Sequence, residues 1–367
     1  MGEWTKSGVL VRLNLLEMKR EKNRSLWLRL MLWSMVVAVA ACSKGVDVPP
    51  GSAKIYLTAA TNPVFRVPTN PKNYFVDKEN RKLTVPVYIG RSGLQEQQSF
   101  TLEVGADDAA AQQLIDGGTL GQHAFIAPKD VYEMPASVTA GTEHSSFDLV
   151  FDADKLNAHL GKQLVLTIRL SNPSKFELND HLSKLNIVLD VDLVMLGTKV
   201  EVTDRYIKNS GHPFIASVYD GVRRGVLADW TTSASVKNFE GGTLGGFDNY
   251  GGGGFMSMER YSSPEIPNGK IYQHITLPAG KYDLDVAFLD FAVTEHAYIT
   301  VAEGTTLPDV EDIQQAIAYT PFTAPSLSFV LPEETEVTLG VVANFIQDQQ
   351  YFRLDKFRLY HYQNLFN

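Results

Sequence analysis

The sequence predicts an all-β protein made of two successive β-sandwiches. Three observations carry that reading. Apolar residues recur with a period of two in many short runs. The runs are separated by clusters of turn residues. Helix-like stretches are confined to two short segments, 107–114 and 152–160. The chain has 367 residues, 44% of them hydrophobic and 20% charged. That composition buries a sizeable core and excludes a disordered chain.

The first body spans residues 53–195. Leu83, Val85, Val87 and Ile89 alternate with Lys82, Thr84, Pro86 and Tyr88. Phe100, Leu102 and Val104 alternate in the same way, as do Phe147, Leu149 and Phe151, and then Leu164, Leu166 and Ile168. Such runs describe antiparallel strands with one buried face, and seven to nine of them suggest a sandwich of the immunoglobulin type. Residues 184–193 close this body. The second body spans 200–367, with its better strands at 271–277, 282–289, 297–301, 326–331, 336–342 and 351–360. In the last of these neither face is cleanly apolar, because Phe352 and Leu354 share a parity with Lys356 and Arg358. The pattern reads as a second sandwich, of jelly-roll type.

The amino terminus reads as an address. Lys19, Arg20, Lys22 and Arg24 precede a run, 26–41, that is apolar apart from Arg29 and Ser34. Basic segment, apolar segment and a small-residue boundary make a secretory signal over residues 1–41. Residues 1–17 do not fit it, so Met18 is the expected start. An uncleaved anchor is the alternative, although the run is shorter than the ~20 residues a span prefers. The boundary Val39-Ala40-Ala41-Cys42 resembles a bacterial lipobox, which implies acylation of Cys42 and attachment to outer-membrane lipid. Cys42 is the only cysteine, which excludes an internal disulfide and a cysteine-based zinc site. Residues 42–52 form a polar tether. The formal charge of −9 becomes −13 once the seven basic and three acidic residues of 1–41 are removed. This balance argues against a nucleic-acid partner.

Enzyme signals are absent from the sequence. No two of the eight histidines lie within four residues of each other, there is no GxSxG elbow, and the glycine-rich loop does not continue into Lys-Ser or Lys-Thr. The expectation is a protein that is not an enzyme. Binding chemistry gathers instead around residues 241–254, which hold eight glycines in fourteen positions. Sugars present flat C–H faces and a rim of hydroxyls, which suit an exposed aromatic ring beside amide, carboxylate and guanidinium groups. The candidate carbohydrate-binding residues are therefore Trp230, Asp248, Asn249, Tyr250, Arg260 and Tyr261. The same composition also fits buried loop anchors, an alternative that applies to Trp230, Phe247 and Phe255.

The order of lipobox cysteine, small β-domain and second β-domain resembles the outer-membrane glycan-utilisation lipoproteins of Bacteroidetes. The stretch from KIYLTAATNPVFRVP at 54–68 through LTIRLSNPSKFELNDHLSKLNIVLDV at 166–191 is similar to their uncharacterised N-terminal domain. The phrases LADWTTSASVKNF, NGKIYQHITLPAGKYDLDVAF and YFRLDKFRLYHY are similar to their C-terminal galactose-binding-like jelly-roll module. The resemblance implies a surface lipoprotein of the outer membrane that binds a polysaccharide or oligosaccharide without cleaving it. It also implies a TonB-dependent transporter and a SusD-like protein as partners. The alternative is a structural or complex-forming lipoprotein with no glycan site. Some relatives carry a chitinase-like barrel with a DxxDxDxE motif, but the spacing of Asp148, Asp152 and Asp154 is wrong for it, so a glycoside hydrolase is the less favoured reading. Modules of this type often hold a structural calcium, and Asp355 in the YFRLDKFRL phrase is the candidate ligand. A strand-edge carboxylate paired with Arg353 or Lys356 is its alternative.

Overall fold

The computed structural model describes residues 52–68, 73–93, 98–141, 145–292 and 295–366. The signal-like segment and Cys42 lie outside the described residues. Among the described residues the fold is all-β, as the alternation requires, and the strands form four sheets paired into two sandwiches.

Each sheet of the first sandwich has six strands. One is built around Lys82–Arg91, which runs antiparallel to Ser145–Asp152 over its whole length. The other is built around Gln163–Ser171, flanked by Lys184–Asp190 and Phe100–Ala106. Leu83, Val85, Val87, Phe147, Leu149 and Phe151 meet Leu102, Leu164, Leu166, Ile168 and Ile187 in one buried cluster. Period-two sequence thus puts one side chain in two between the sheets, where each is worth about 1.5–3 kcal/mol of apolar transfer. The two expected short helices form, and two more that the alternation did not show, Val191–Met195 and Thr203–Tyr206, follow them. Asp107 caps Asp108–Asp116 by accepting from the Ala110 N–H at 3.0 Å, and Asp152 caps Ala153–Asn157.

The second sandwich pairs an eight-stranded sheet with a five-stranded one. Ile266–Leu277, Thr335–Phe345 and Ala297–Glu303 make the centre of the smaller sheet. The larger sheet centres on the C-terminal strand Gln350–Asn364, which pairs with Phe255–Arg260 on one side and Gly280–Ala292 on the other. That pairing explains the mixed faces of the last strand. Its register against Gly280–Ala292 passes from Leu354 to Lys356 with Asp355 left over, a bulge that inverts the parity. Phe352 and Leu354 before it, and Phe357 and Leu359 after it, all reach the core. Arg353 before it, and Arg358 and Tyr360 after it, are left on the sheet's opposite, outward face.

The C-terminal strand continues into the other sandwich. Phe366 is buried in the first sandwich's core. The Leu365 N–H donates to the Met195 carbonyl at 2.7 Å, and Arg81 Nη1 donates to the Phe366 carbonyl at 2.6 Å. Lys281 adds an ion pair with Asp192 at 2.5 Å. Replacing Phe366 by Ala removes a side chain of the first sandwich's core that follows directly on the second sandwich's C-terminal strand. The expected loss is about 3–5 kcal/mol in denaturant unfolding of the full chain, with Phe366→Leu retaining most of the stability. A change below ~1 kcal/mol would show that the tail is not a structural joint.

Candidate functional site

The outward face of the eight-stranded sheet carries a set of charges that the alternation places there in pairs. In Gly246–Asp248, Phe247 enters the core and Asp248 turns outward. In Phe255–Arg260, Met256 and Met258 enter the core and Ser257 and Glu259 turn outward. Arg353 stands beside Ser257 on one side and Asp290 on the other. The turn 220–224 completes the set. Both Asp220 carboxylate oxygens accept backbone N–H groups, from Val222 and Arg223 at 2.8 and 2.7 Å and from Arg224 at 3.0 Å. This knot holds Arg223 and Arg224 over the sheet.

The charges then pair closely. Asp248, with no exposed side-chain surface, accepts from Arg223 Nε at 2.8 Å and Nη2 at 2.9 Å, and from Arg353 Nε at 3.1 Å. Glu259 accepts from Arg223 Nη2 at 2.8 Å, Arg224 Nη2 at 2.6 Å and Arg353 Nη2 at 3.1 Å. Arg353 Nη1 donates to both Asp290 oxygens at 3.1 Å. Burial alone pushes the Asp248 carboxyl up. The hydrogen bond from Arg223, the charges of Arg224 and Arg223, and the hydrogen bond from Arg353 outweigh it and hold the pKa below the usual carboxylate value.

Tyr250 is laid over this network by the glycine loop. Gly252 N–H donates to the Asn249 carbonyl at 2.9 Å and Gly253 N–H to the Tyr250 carbonyl at 3.1 Å, a tight turn with Gly251 at φ 61°. Gly254 is required for a second reason: a Cβ there would stand 2.8 Å from the Phe214 carbonyl oxygen. The turn brings the Tyr250 ring 4.3 Å from the Arg353 guanidinium and 5.6 Å from that of Arg223. Tyr351 meets Arg353 at 4.7 Å, so the guanidinium lies in contact with two tyrosines. Tyr250 nevertheless keeps 50% of its surface exposed. Asn249 Nδ2 donates to the Tyr219 hydroxyl at 2.9 Å, and exposed Tyr219 stands edge-on to Phe247 at 5.8 Å. The result is an aromatic and polar platform on a rigid sheet.

The structure gathers only part of the expected set. Asn249 and Tyr250 are at the platform and accessible. Asp248 is beneath it, enclosed by arginines, and serves as scaffold rather than as a group that touches ligand. Trp230 is a core residue and not an exposed platform: it stacks on Phe357 at 5.0 Å, and its Nε1–H donates to the Asn209 carbonyl at 2.9 Å. Phe247 and Phe255 are buried as well. Arg260 and Tyr261 follow the far end of Phe255–Arg260, roughly 17 Å from its start at ~3.3 Å per residue. There Arg260 approaches Asp348 at 3.7 Å and Glu265 at 3.9 Å, while Tyr261 is exposed. They do not join the Tyr250 loop. Asp355, the candidate calcium ligand, lies in the C-terminal strand. It is the bulged residue, its carboxylate pairs with His212 Nδ1 at 2.9 Å, and no group of three or more His, Cys, Asp or Glu that could hold a metal occurs among the described residues. The reading of the sequence missed Arg223, Arg353, Tyr351, Tyr219 and Asp290. One signal was present: an arginine between Phe352 and Leu354 in a strand otherwise supplying core residues.

With that geometry described, the comparisons add the following. The family model of a domain of unknown function, DUF5013, matches residues 208–340, which include the Tyr250 loop but stop short of Arg353. No curated protein matches the chain. Among solved structures, a two-domain protein of unknown function from Bacteroides fragilis NCTC 9343 is 11% identical, with 84% of this chain and 95% of that one covered and a TM-score of 0.26. A protein from Bacteroides ovatus ATCC 8483, proposed to bind carbohydrate, is 9% identical over 83% and 80% of the two chains, with a TM-score of 0.32. A multidomain protein including DUF1735, also from Bacteroides ovatus, is 11% identical over 82% and 94%, with a TM-score of 0.27.

The ion network sets a pH-dependent test. Because the folded pKa of Asp248 is depressed, its contribution is present above the unfolded value of about 3.9. It is lost as pH falls through the folded value. Asp248→Asn leaves arginines short of a carboxylate and is expected to cost about 3 kcal/mol at pH 7. In denaturant titrations at pH 7, 5 and 3, the gap to wild type should be widest at pH 7 and narrow below about pH 4. A gap independent of pH would show that the carboxylate charge is not what matters.

Proposed function

We propose that this chain is a non-catalytic carbohydrate-binding lipoprotein of an outer membrane, displayed at the cell surface through acylated Cys42 and working beside a TonB-dependent transporter and a SusD-like protein in glycan uptake. The observation that carries the proposal is the Tyr250 ring, half exposed and seated on Arg353, with Asn249, Tyr219 and Arg223 at its margin. A fixed aromatic face stacks on a sugar's C–H face, and amide, phenol and guanidinium groups meet its hydroxyls. The reading is non-catalytic because the carboxylate at the heart of the site, Asp248, has no exposed surface and is taken up by arginines, so it does not reach a glycosidic bond. One aromatic stack is worth on the order of 1 kcal/mol, so single sites are weak and dense display on the membrane supplies avidity.

A second reading has its own observation. Ile215, Val218 and Val222 are exposed next to Tyr219 on and around the sheet-edge hairpin, which suits docking of a protein in a complex-forming lipoprotein. A glycan array with the full chain separates the two readings. Tyr250→Ala should weaken every hit about five- to tenfold, and Tyr261→Ala, at the far end of the strand, should leave hits unchanged. Loss with Tyr261→Ala alone would move the site. Absence of any hit would favour the docking role. For the anchor, Cys42→Ala should abolish palmitate labelling and release the protein from the outer-membrane fraction; a variant that still labels excludes acylation at Cys42.

A further inference from the structure

We infer that the Tyr250 platform is built for an uncharged glycan and rejects glycans that carry carboxylates or sulfates. The inference rests on the carbohydrate-binding reading above and deepens it. Three guanidinium groups, Arg223, Arg224 and Arg353, meet three carboxylates, Asp248, Glu259 and Asp290, so the formal charge of the cluster is zero. Each guanidinium already has two or more carboxylate partners within 4 Å. A site for a uronate or a sulfate ester needs a cation whose partner the ligand replaces. Here an anionic ligand would have to compete with carboxylates that are held in place by the fold.

The accessible groups are of the other kind. The Asp290 side chain is 41% exposed, and each of its oxygens accepts one bond from Arg353, leaving lone pairs for hydroxyl donors. The Arg223 side chain is 36% exposed, and its Nη1 takes part in none of the bonds to Asp248 and Glu259, so it can donate to a hydroxyl oxygen. A sugar with free hydroxyls uses both without bringing a net charge. A carboxylated sugar sets a like charge against Asp290 on a chain whose formal charge is already −9. The Tyr250 ring beside Arg353 adds no charge preference toward anions, because its face carries the negative end of the quadrupole.

The test uses the full chain and polysaccharides immobilised in a native gel. The neutral set is galactomannan, xyloglucan, laminarin, starch and fully methyl-esterified homogalacturonan. The acidic set is de-esterified homogalacturonan, alginate and heparin. The expected result is Tyr250-dependent retardation by at least one neutral member, with every acidic member at least tenfold weaker at low salt. Retardation by the neutral member should change less than twofold between 50 and 500 mM salt, since no ion pair forms. Asp290→Asn, which leaves the cluster with an excess cation, should strengthen retardation by acidic members severalfold. An acidic member bound as tightly as the best neutral one, in a Tyr250-dependent way, would overturn the inference and leave glycan binding standing. Asp290→Asn without effect on the acidic set would overturn the charge-balance argument. Retardation by no member of either set would remove the carbohydrate reading itself, and this inference with it.

Discussion

A guanidinium enclosed in the middle of a sheet's outward face must be matched by carboxylates, or the strand that carries it cannot stay there. Arg353 is matched by three, from three different strands: Asp248, Glu259 and Asp290. The requirement runs in both directions. Asp248 has no exposed surface and stays ionised only because arginines surround it, and Glu259 is held by the same groups. Arg223 and Arg224 reach the network because Asp220 ties the preceding turn with its own side chain. Tyr250 then has a fixed surface on which to lie, and its loop glycines allow it to do so. Remove the central charge and Asp290 loses its arginine, Asp248 and Glu259 each lose one of three, and the Tyr250 ring loses the guanidinium beside it.

The sheet that bears this network is also the joint of the molecule. The bulge at Asp355 lets one strand supply Phe352 and Leu354 to the core before it and Phe357 and Leu359 after it. Its continuation sets Phe366 among the first sandwich's apolar residues, beside Arg81 and Met195. The platform therefore stands on an element that belongs to both bodies. A site on such an element is preorganised, and binding to it orders little further chain.

The sandwiches were legible in the sequence because their physics is local. Leu83 to Ile89 alternate because one face meets the core and the other does not, and a period of two needs no knowledge of the partner strand. Two helix starts were legible for the same reason, since Asp107 and Asp152 cap within three residues of themselves, whereas the start at Asp190 was hidden by the apolar run of the strand before it. The site was legible only in part. Glycine-rich sequence marked the loop that lays Asn249 and Tyr250 on the outward face, because their placement depends on that loop itself. Trp230 could not be assigned from its neighbours, because an aromatic beside a flexible loop serves equally as anchor or platform; the decision came from Phe357, distant in sequence. Arg353 was missed because its partners lie 63 to 105 residues away. The placement of Asp355 was not legible because a bulge sets that residue out of the ladder and against His212.

The central claim is that ligand is held at the Tyr250 platform and nowhere else on the sheet. Hydroxyl-radical footprinting of the full chain measures it directly, with and without whichever polysaccharide it retains most strongly. Tyr250 and Tyr219 are expected to lose labelling on binding, while the exposed rings of Tyr261 and Tyr319 keep theirs. Protection at Tyr261 with Tyr250 still fully labelled would contradict the account.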